Sequence, residues 1–266
     1  MISSKNRQYN GFLSTPNLWT RDTFGLVQFE LPDCLFPQET QIDSNQIRLG
    51  KRVEQFFEYT INHSKNYKLI ASNIQVKNEK LTIGELDALV KHSTSVFHIE
   101  IVYKFYLYDS NVNGDMFDKW IGPNRKDTLI YKLKKLKEKQ LPLLYSPSTT
   151  PILDQLGLLI DAITQNVLYK AQLFLPYELK IDISPLNPKA IYGFYFNIEK
   201  LKAFKLYTFY LPSKMDWLVI PHLDVDWLNY DQAKTKIDDF IIEKRSPMVW
   251  LKNENNKLSK AFITFW

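Results

Sequence analysis

The stretch Val96-Phe-His-Ile-Glu-Ile-Val-Tyr-Lys-Phe-Tyr-Leu-Tyr108 decides how the chain is read. Phe97, Ile99, Ile101, Tyr103, Phe105 and Leu107 fall on one face of an extended strand, while His98, Glu100 and Lys104 share the other with Val102. A run this apolar predicts a central strand covered on both faces. Burying a carboxylate and an ammonium there costs several kcal/mol, to order of magnitude, unless they are paired or bind an ion.

Working outward, residues 67–76 (YKLIASNIQV) and 82–90 (TIGELDALV) also read as strands, and the short connectors KNEK and KHSTS suit consecutive antiparallel pairing. Asp87 stands among Leu86, Ala88 and Leu89, so the same cost applies to it. Upstream, Ile47, Val53, Phe56, Phe57 and Ile61 recur at helical spacing, predicting an amphipathic helix over Gln46 to Ile61 with Glu54 and Glu58 one turn apart. Downstream, Gly114, Gly122 and Pro123 lead to a basic helix over about Lys126 to Gln140, followed by a helix from Pro151 toward Val167 and a strand, YKAQLFL. Residues before these elements, broken by Pro16, Pro32 and Pro37, read as short helices and loops. Beyond Pro176 a mixed region is expected, with a helix from Asp231 to Lys244 and a terminal strand KAFITFW. The predicted division is an N-terminal extension (1–45), a core (46–176) and a C-terminal α+β region (177–266).

Composition narrows the function classes. Of the 266 residues 45% are hydrophobic, ordinary for a globular protein. No run of about 18 apolar residues occurs and the N-terminal sequence lacks the order of a secretory signal, so a cytoplasmic protein without membrane contact is expected. Cys34 is the only cysteine, which excludes an intramolecular disulfide or a cysteine-rich zinc site. A net charge of +5 permits a polyanionic partner without requiring one. The aromatic clusters FYF, YTFY, DWLV and DWLNY are read as core before stacking surface.

If Asp87 and Glu100 share a face, their oxygens, with the Ile101 carbonyl and with Glu54 from the helix, form a hard-oxygen site for Mg²⁺ or Mn²⁺. Lys104 would then orient the attacking water. The competing reading is a Glu100–Lys104 ion pair that fixes strand register. His98, on the face of Glu100, is either an outer partner of the carboxylates or a satisfied structural histidine.

The blocks LGKRVEQFFEY, TIGELDALV, HIEIVYKFYLYD, WIGPNRKDTL and QLPLL resemble the successive segments of the domain of unknown function 1853 family, a family of bacterial proteins grouped with PD-(D/E)XK nucleases. The likeness is close over about residues 46–145 and looser over YGFYF, MDWLVIP, SPMVW and KAFITFW. It implies an α/β fold with a restriction-endonuclease-like core, α-β-β-β-α-β, whose mixed sheet is flanked by helices and carries N- and C-terminal additions. It further implies a metal-dependent hydrolase of phosphodiester bonds, with DNA favoured over RNA as partner, or a catalytically silent relative that binds nucleic acid or a protein. The nuclease pattern falls on Glu54, Asp87 and Glu100. Its lysine position, two residues after the second acid, is Val102; Lys104 lies one step farther along the same face, about 7 Å away. Lys132 on the following helix is the second candidate. Asn124 and Arg125 in the WIGPNRKDTL block either structure the loop or contact a phosphate, and the lysines at 132, 134, 135, 137 and 139 form the densest basic group. Oligomeric state is left open.

Overall fold

The computed structural model describes residues 3–20, 22–33 and 48–266. Cys34, Pro37 and the expected helix start at Gln46 and Ile47 lie outside the described residues. Two compact units share the chain by interleaving: one comprises Asn17–Tyr103 and Tyr131–Lys170, here the α2 unit. The other, the α5 unit, comprises the residues up to Pro16, Lys104–Ile130 and Ala171–Trp266.

In the α2 unit a two-residue ribbon, β1 (Asp22–Thr23) and β2 (Leu26–Val27), precedes helix α2 (Leu49–Asn62). Val53, Phe56, Phe57 and Ile61 of that helix are buried, as their spacing predicts. Strands β3 (Tyr67–Asn78) and β4 (Leu81–His92) and the long strand β5 (Ser95–Tyr108) form the expected antiparallel meander. Helix α3 (Leu129–Lys135) continues into a π turn over Leu136–Gln140, and the short α4 (Thr150–Gln155) precedes β7 (Ile163–Pro176). A cluster of Val76, Leu86, Leu89, Val96, Leu144, Leu153 and Ile163 forms part of this unit's core.

One expectation fails at α4, which stops at Gln155 instead of running toward Val167. Gly157 adopts φ +66°, its N–H donates to the Asp154 carbonyl, and the Leu158 N–H reaches back to the Leu153 carbonyl. This double bond pattern is the Schellman ending, which needs a left-handed residue after the cap. It frees Ile163 to Val167 for the strand.

The α5 unit begins with α1 (Ser4–Ser14), capped by the Ser3 side chain. It also holds the two-residue β6 (Trp120–Ile121), β8 (Ile191–Asn197), β9 (Thr208–Tyr210), α5 (Tyr230–Ile242), β10 (Met248–Lys252) and β11 (Leu258–Thr264). Helix α5 opens with a reciprocal capping box between Asn229 and Gln232. Its Ala233 and Ile237 pack with Phe196, Phe209, Val249 and Ile263. Strand β8 runs parallel to β7 and β11. Gly193 makes this approach possible, because a Cβ there would lie 2.1 Å from the Lys260 carbonyl oxygen.

The hydrogen-bonded strand order is β3-β4-β5-β7-β8-β11-β10-β9 with β6 on β5, a nine-stranded mixed sheet in an α/β fold. Strands β5 and β7 and helix α3 contribute residues to both units. Among the described residues no helix is long and apolar enough to cross a membrane.

Candidate acid centre

Register brings the two strand carboxylates together. The β4–β5 ladder has Leu89 opposite His98 and ends at Ala88 opposite Ile99, so Asp87 and Glu100 are the next residue on each strand, close enough for the Glu100 charge to act on Asp87. The backbone ladder stops at this position, and the Ile101 N–H donates instead to Asp87 Oδ2 at 2.8 Å. A side-chain oxygen thus anchors the strands where the main-chain bonding ends.

Burial and the Glu100 charge raise the Asp87 carboxyl well above the ordinary carboxylate range, to about 8. The Ile101 amide and the Lys132 ammonium oppose that rise, and Glu54 adds to it. A carboxyl so placed resists ionisation until a cation is supplied.

Glu100 is fully buried, yet both its oxygens are satisfied. His98 Nε2 lies 3.2 Å from Oε1, and Gln140 Nε2 donates to Oε2 at 2.5 Å. Gln165 Nε2 donates to the Leu141 carbonyl at 2.6 Å and lies 3.0 Å from His98 Nδ1. Because a carbonyl can only accept, the Gln165 amide is fixed with its nitrogen toward the imidazole. His98 Nδ1 therefore accepts, which assigns the ring proton to Nε2, facing Glu100. On the far side Lys132 Nζ donates to Gln140 Oε1 at 2.7 Å. The chain Lys132–Gln140–Glu100–His98–Gln165 lies wholly within the α2 unit.

Sequence reasoning missed Gln140 and Gln165. Gln140 reaches Glu100 from the π turn at Leu136–Gln140, where the wider turn re-aims the side chains that follow. An α-helical reading of that segment misplaces it. The one available signal was an uncharged amide closing a run of lysines.

Helix α2 adds a third carboxylate. Burial raises Glu54, and Lys51 Nζ lies 2.8 Å from its Oε2 without hydrogen-bond alignment, so this buried oxygen is an ion-pair partner but carries no directed bond. The same ammonium contacts Glu85 Oε1 at 2.7 Å and Asn73 Oδ1 at 2.5 Å, and Asn73 Nδ2 donates to Glu58 Oε1 at 2.9 Å. Asn73 sits in β3 between the pairs Ser72–Ala88 and Ile74–Leu86, at the level of Asp87, with φ 53°. Asparagine tolerates this left-handed backbone better than most residues.

The remaining candidates are engaged in the α5 unit. Lys104 Nζ donates to Asp127 Oδ2 at 2.5 Å. Arg125 donates from Nη1 to the buried Asp109 at 2.7 Å, and its guanidinium lies 4.5 Å from the centre of the Trp266 ring. Asn124 Oδ1 accepts from the Ser246 N–H at 2.8 Å.

Among the described residues no group of three or more His, Cys, Asp or Glu side chains is arranged to hold a metal ion. Asp87 and Glu100 are two carboxylates, one fewer than such a group. Mg²⁺ commonly takes one or two carboxylates and completes its shell with water and substrate phosphate. The Ile101 amide holds Asp87 Oδ2, and burial, then the Glu100 charge, raise the proton affinity of this carboxyl.

No curated protein and no solved structure matches the chain. A family model described as Domain of unknown function (DUF1853) does match, over residues 29–262. That span covers most of the 266 residues, and the chain belongs to this family.

Proposed function

We propose that the chain is a metal-dependent phosphodiesterase acting on nucleic acid, with Asp87 and Glu100 as its acid pair. The observation that supports this reading is the Glu100 charge acting on a buried Asp87 just past the end of the β4–β5 ladder, where Asp87 accepts from the Ile101 N–H. The order α2, β3, β4, β5, α3, β7 supports it, since, apart from the two-residue β6 and the short α4 between them, it follows the α-β-β-β-α-β plan of restriction-endonuclease-like cores.

Mg²⁺ or Mn²⁺ bound here would supply a water of lowered pKa and positive charge against a phosphate oxygen. The chain's own groups do the positioning. The Ile101 amide fixes Asp87 Oδ2 and leaves Oδ1 free to ligate, while His98 and Gln140 hold both Glu100 oxygens in one rotamer. Lys132 is assigned as the assisting cation in preference to Lys104, because its charge acts on Asp87 and it binds the Glu100 partner Gln140. Glu54 completes the acidic field from α2.

The test uses end-labelled duplex DNA, single-stranded DNA and RNA with Mg²⁺ or Mn²⁺. Cleavage is expected to fall at least about a hundredfold in Asp87→Asn and Glu100→Gln, and to fall in Lys132→Met but not in Lys104→Met. Undiminished cleavage by folded Asp87→Asn protein would sink the assignment. Val102 at the usual lysine position favours a second reading, a silent relative that binds without cutting. Salt-sensitive retention of nucleic acid with no metal-dependent cleavage would select it.

A further inference from the structure

A cavity of about 630 Å³ lies wholly within the α5 unit, walled by the segment after β9, the second half of α5 and the lead into β10. Its charge is one-sided. Lys214, Lys236 and Arg245 line it against the single carboxylate of Asp239. Among the described residues Lys236 forms no ion pair, and Arg245 pairs with Glu243, which does not line the cavity.

Its other surfaces are flat or apolar. The Arg245 guanidinium lies 4.7 Å from the centre of the Phe240 ring, and Lys214 Nζ lies 6.0 Å from that of Trp217. Pro212, Pro247 and Met248 supply a buried floor. Asn124 adds a polar side chain to the lining, its Oδ1 accepting from the Ser246 N–H.

We propose that this cavity binds a nucleoside monophosphate group, the phosphate held by Lys214, Lys236 and Arg245 and the base stacked on the Arg245–Phe240 pair. Three cations favour an anion, and a planar guanidinium backed by a ring is a surface on which bases stack. The volume exceeds the need of a bare phosphate and lies within the range of pockets that enclose small organic ligands. The group arrives either as a free mononucleotide or as the phosphorylated end of an oligonucleotide. The site stands apart from the assignment of Asp87 and Glu100, and its test does not require cleavage.

Full-length protein in EDTA is titrated calorimetrically with AMP, adenosine, inorganic phosphate, and 5′-phosphorylated and 5′-hydroxyl oligonucleotides. AMP is expected to bind at least about tenfold more tightly than adenosine or phosphate. Charge reversal of the two exposed lysines, Lys214→Glu with Lys236→Glu, should weaken AMP at least about tenfold while the far-UV spectrum is unchanged. Phe240→Leu should weaken it about threefold or more through lost stacking. Binding by both AMP and the phosphorylated oligonucleotide identifies a strand end as the source, and binding by AMP alone identifies a free nucleotide. The proposal is overturned if AMP gives no saturable heat up to about 5 mM, if adenosine binds equally well, or if the double charge reversal leaves AMP affinity unchanged. Asp87→Asn protein should bind AMP as the wild type does, so loss of nuclease activity and loss of this site are read separately.

Discussion

Replacing Asp87 by asparagine should stabilise the protein as it disables it, by an amount that depends on pH. An ordinary aspartate ionises near 3.8, whereas this one is raised to about 8 by burial and by Glu100. Between those values the unfolded chain releases a proton that the folded chain retains, so wild-type stability falls as pH rises through this window. Below it the carboxyl is protonated in both states and the penalty disappears. At about 1.4 kcal/mol per pH unit the upper bound is about 6 kcal/mol, and partial solvent access plus relaxation reduce the expectation to about 2–3 kcal/mol at pH 9. Asparagine keeps an oxygen for the Ile101 N–H, so the strand anchor survives the substitution. Urea unfolding in EDTA from pH 4 to pH 9 measures the difference. Near equality at pH 4, widening in favour of Asp87→Asn toward pH 9, is the expected result. A variant that is less stable by a constant amount at every pH would instead make Asp87 an ordinary ionised anchor.

Three further outcomes follow from particular contacts. Glu100→Gln removes the charge that ranks second in raising Asp87, so ¹³C NMR of the Asp87 carboxyl should show it titrating at lower pH than in the wild type. Gly11→Ala would set a Cβ 2.0 Å from the Leu218 carbonyl oxygen, rigid backbone that cannot yield cheaply, and chemical denaturation should show a loss of about 3 kcal/mol or more. Lys260 is buried in β11, bonded to Gln172 Oε1 and the Trp217 carbonyl, and burial lowers it to about 7 from 10.5. Over that range the unfolded chain binds the extra proton, so the lysine's contribution to stability grows with pH. Relative to wild type, Lys260→Met should therefore lose ground between pH 7 and pH 10 in urea midpoints.

The meander was legible because β3, β4 and β5 are apolar runs joined by connectors too short for anything but antiparallel hairpins. Helix α2 was legible from four buried apolar positions at helical spacing. The proximity of Asp87 and Glu100 was legible as acidic residues buried in the middle of neighbouring strands of that meander. What stayed hidden depends on local departures from regular geometry or on distant partners. The Gly157 turn ended α4 inside a stretch whose apolar spacing still looked helical. The π turn aimed Gln140 at Glu100, and Asn73 takes a left-handed backbone inside the continuous β3 at the level of Asp87. Lys104 found Asp127, 23 residues away, a pairing no strand periodicity encodes.

Asp87 and Glu100, proposed as the acid pair for a divalent cation, are probed most sharply by proton release on metal binding. Mn²⁺ is titrated calorimetrically at pH 7 in buffers of different ionisation enthalpy, and the dependence of the heat on buffer counts the protons displaced. Because Asp87 holds its proton to about pH 8, binding should release close to about one proton at pH 7 and almost none at pH 9, and Asp87→Asn should bind without release or not at all. Mn²⁺ binding that releases no proton at pH 7, or that is equally tight in the Asp87→Asn protein, would contradict the account.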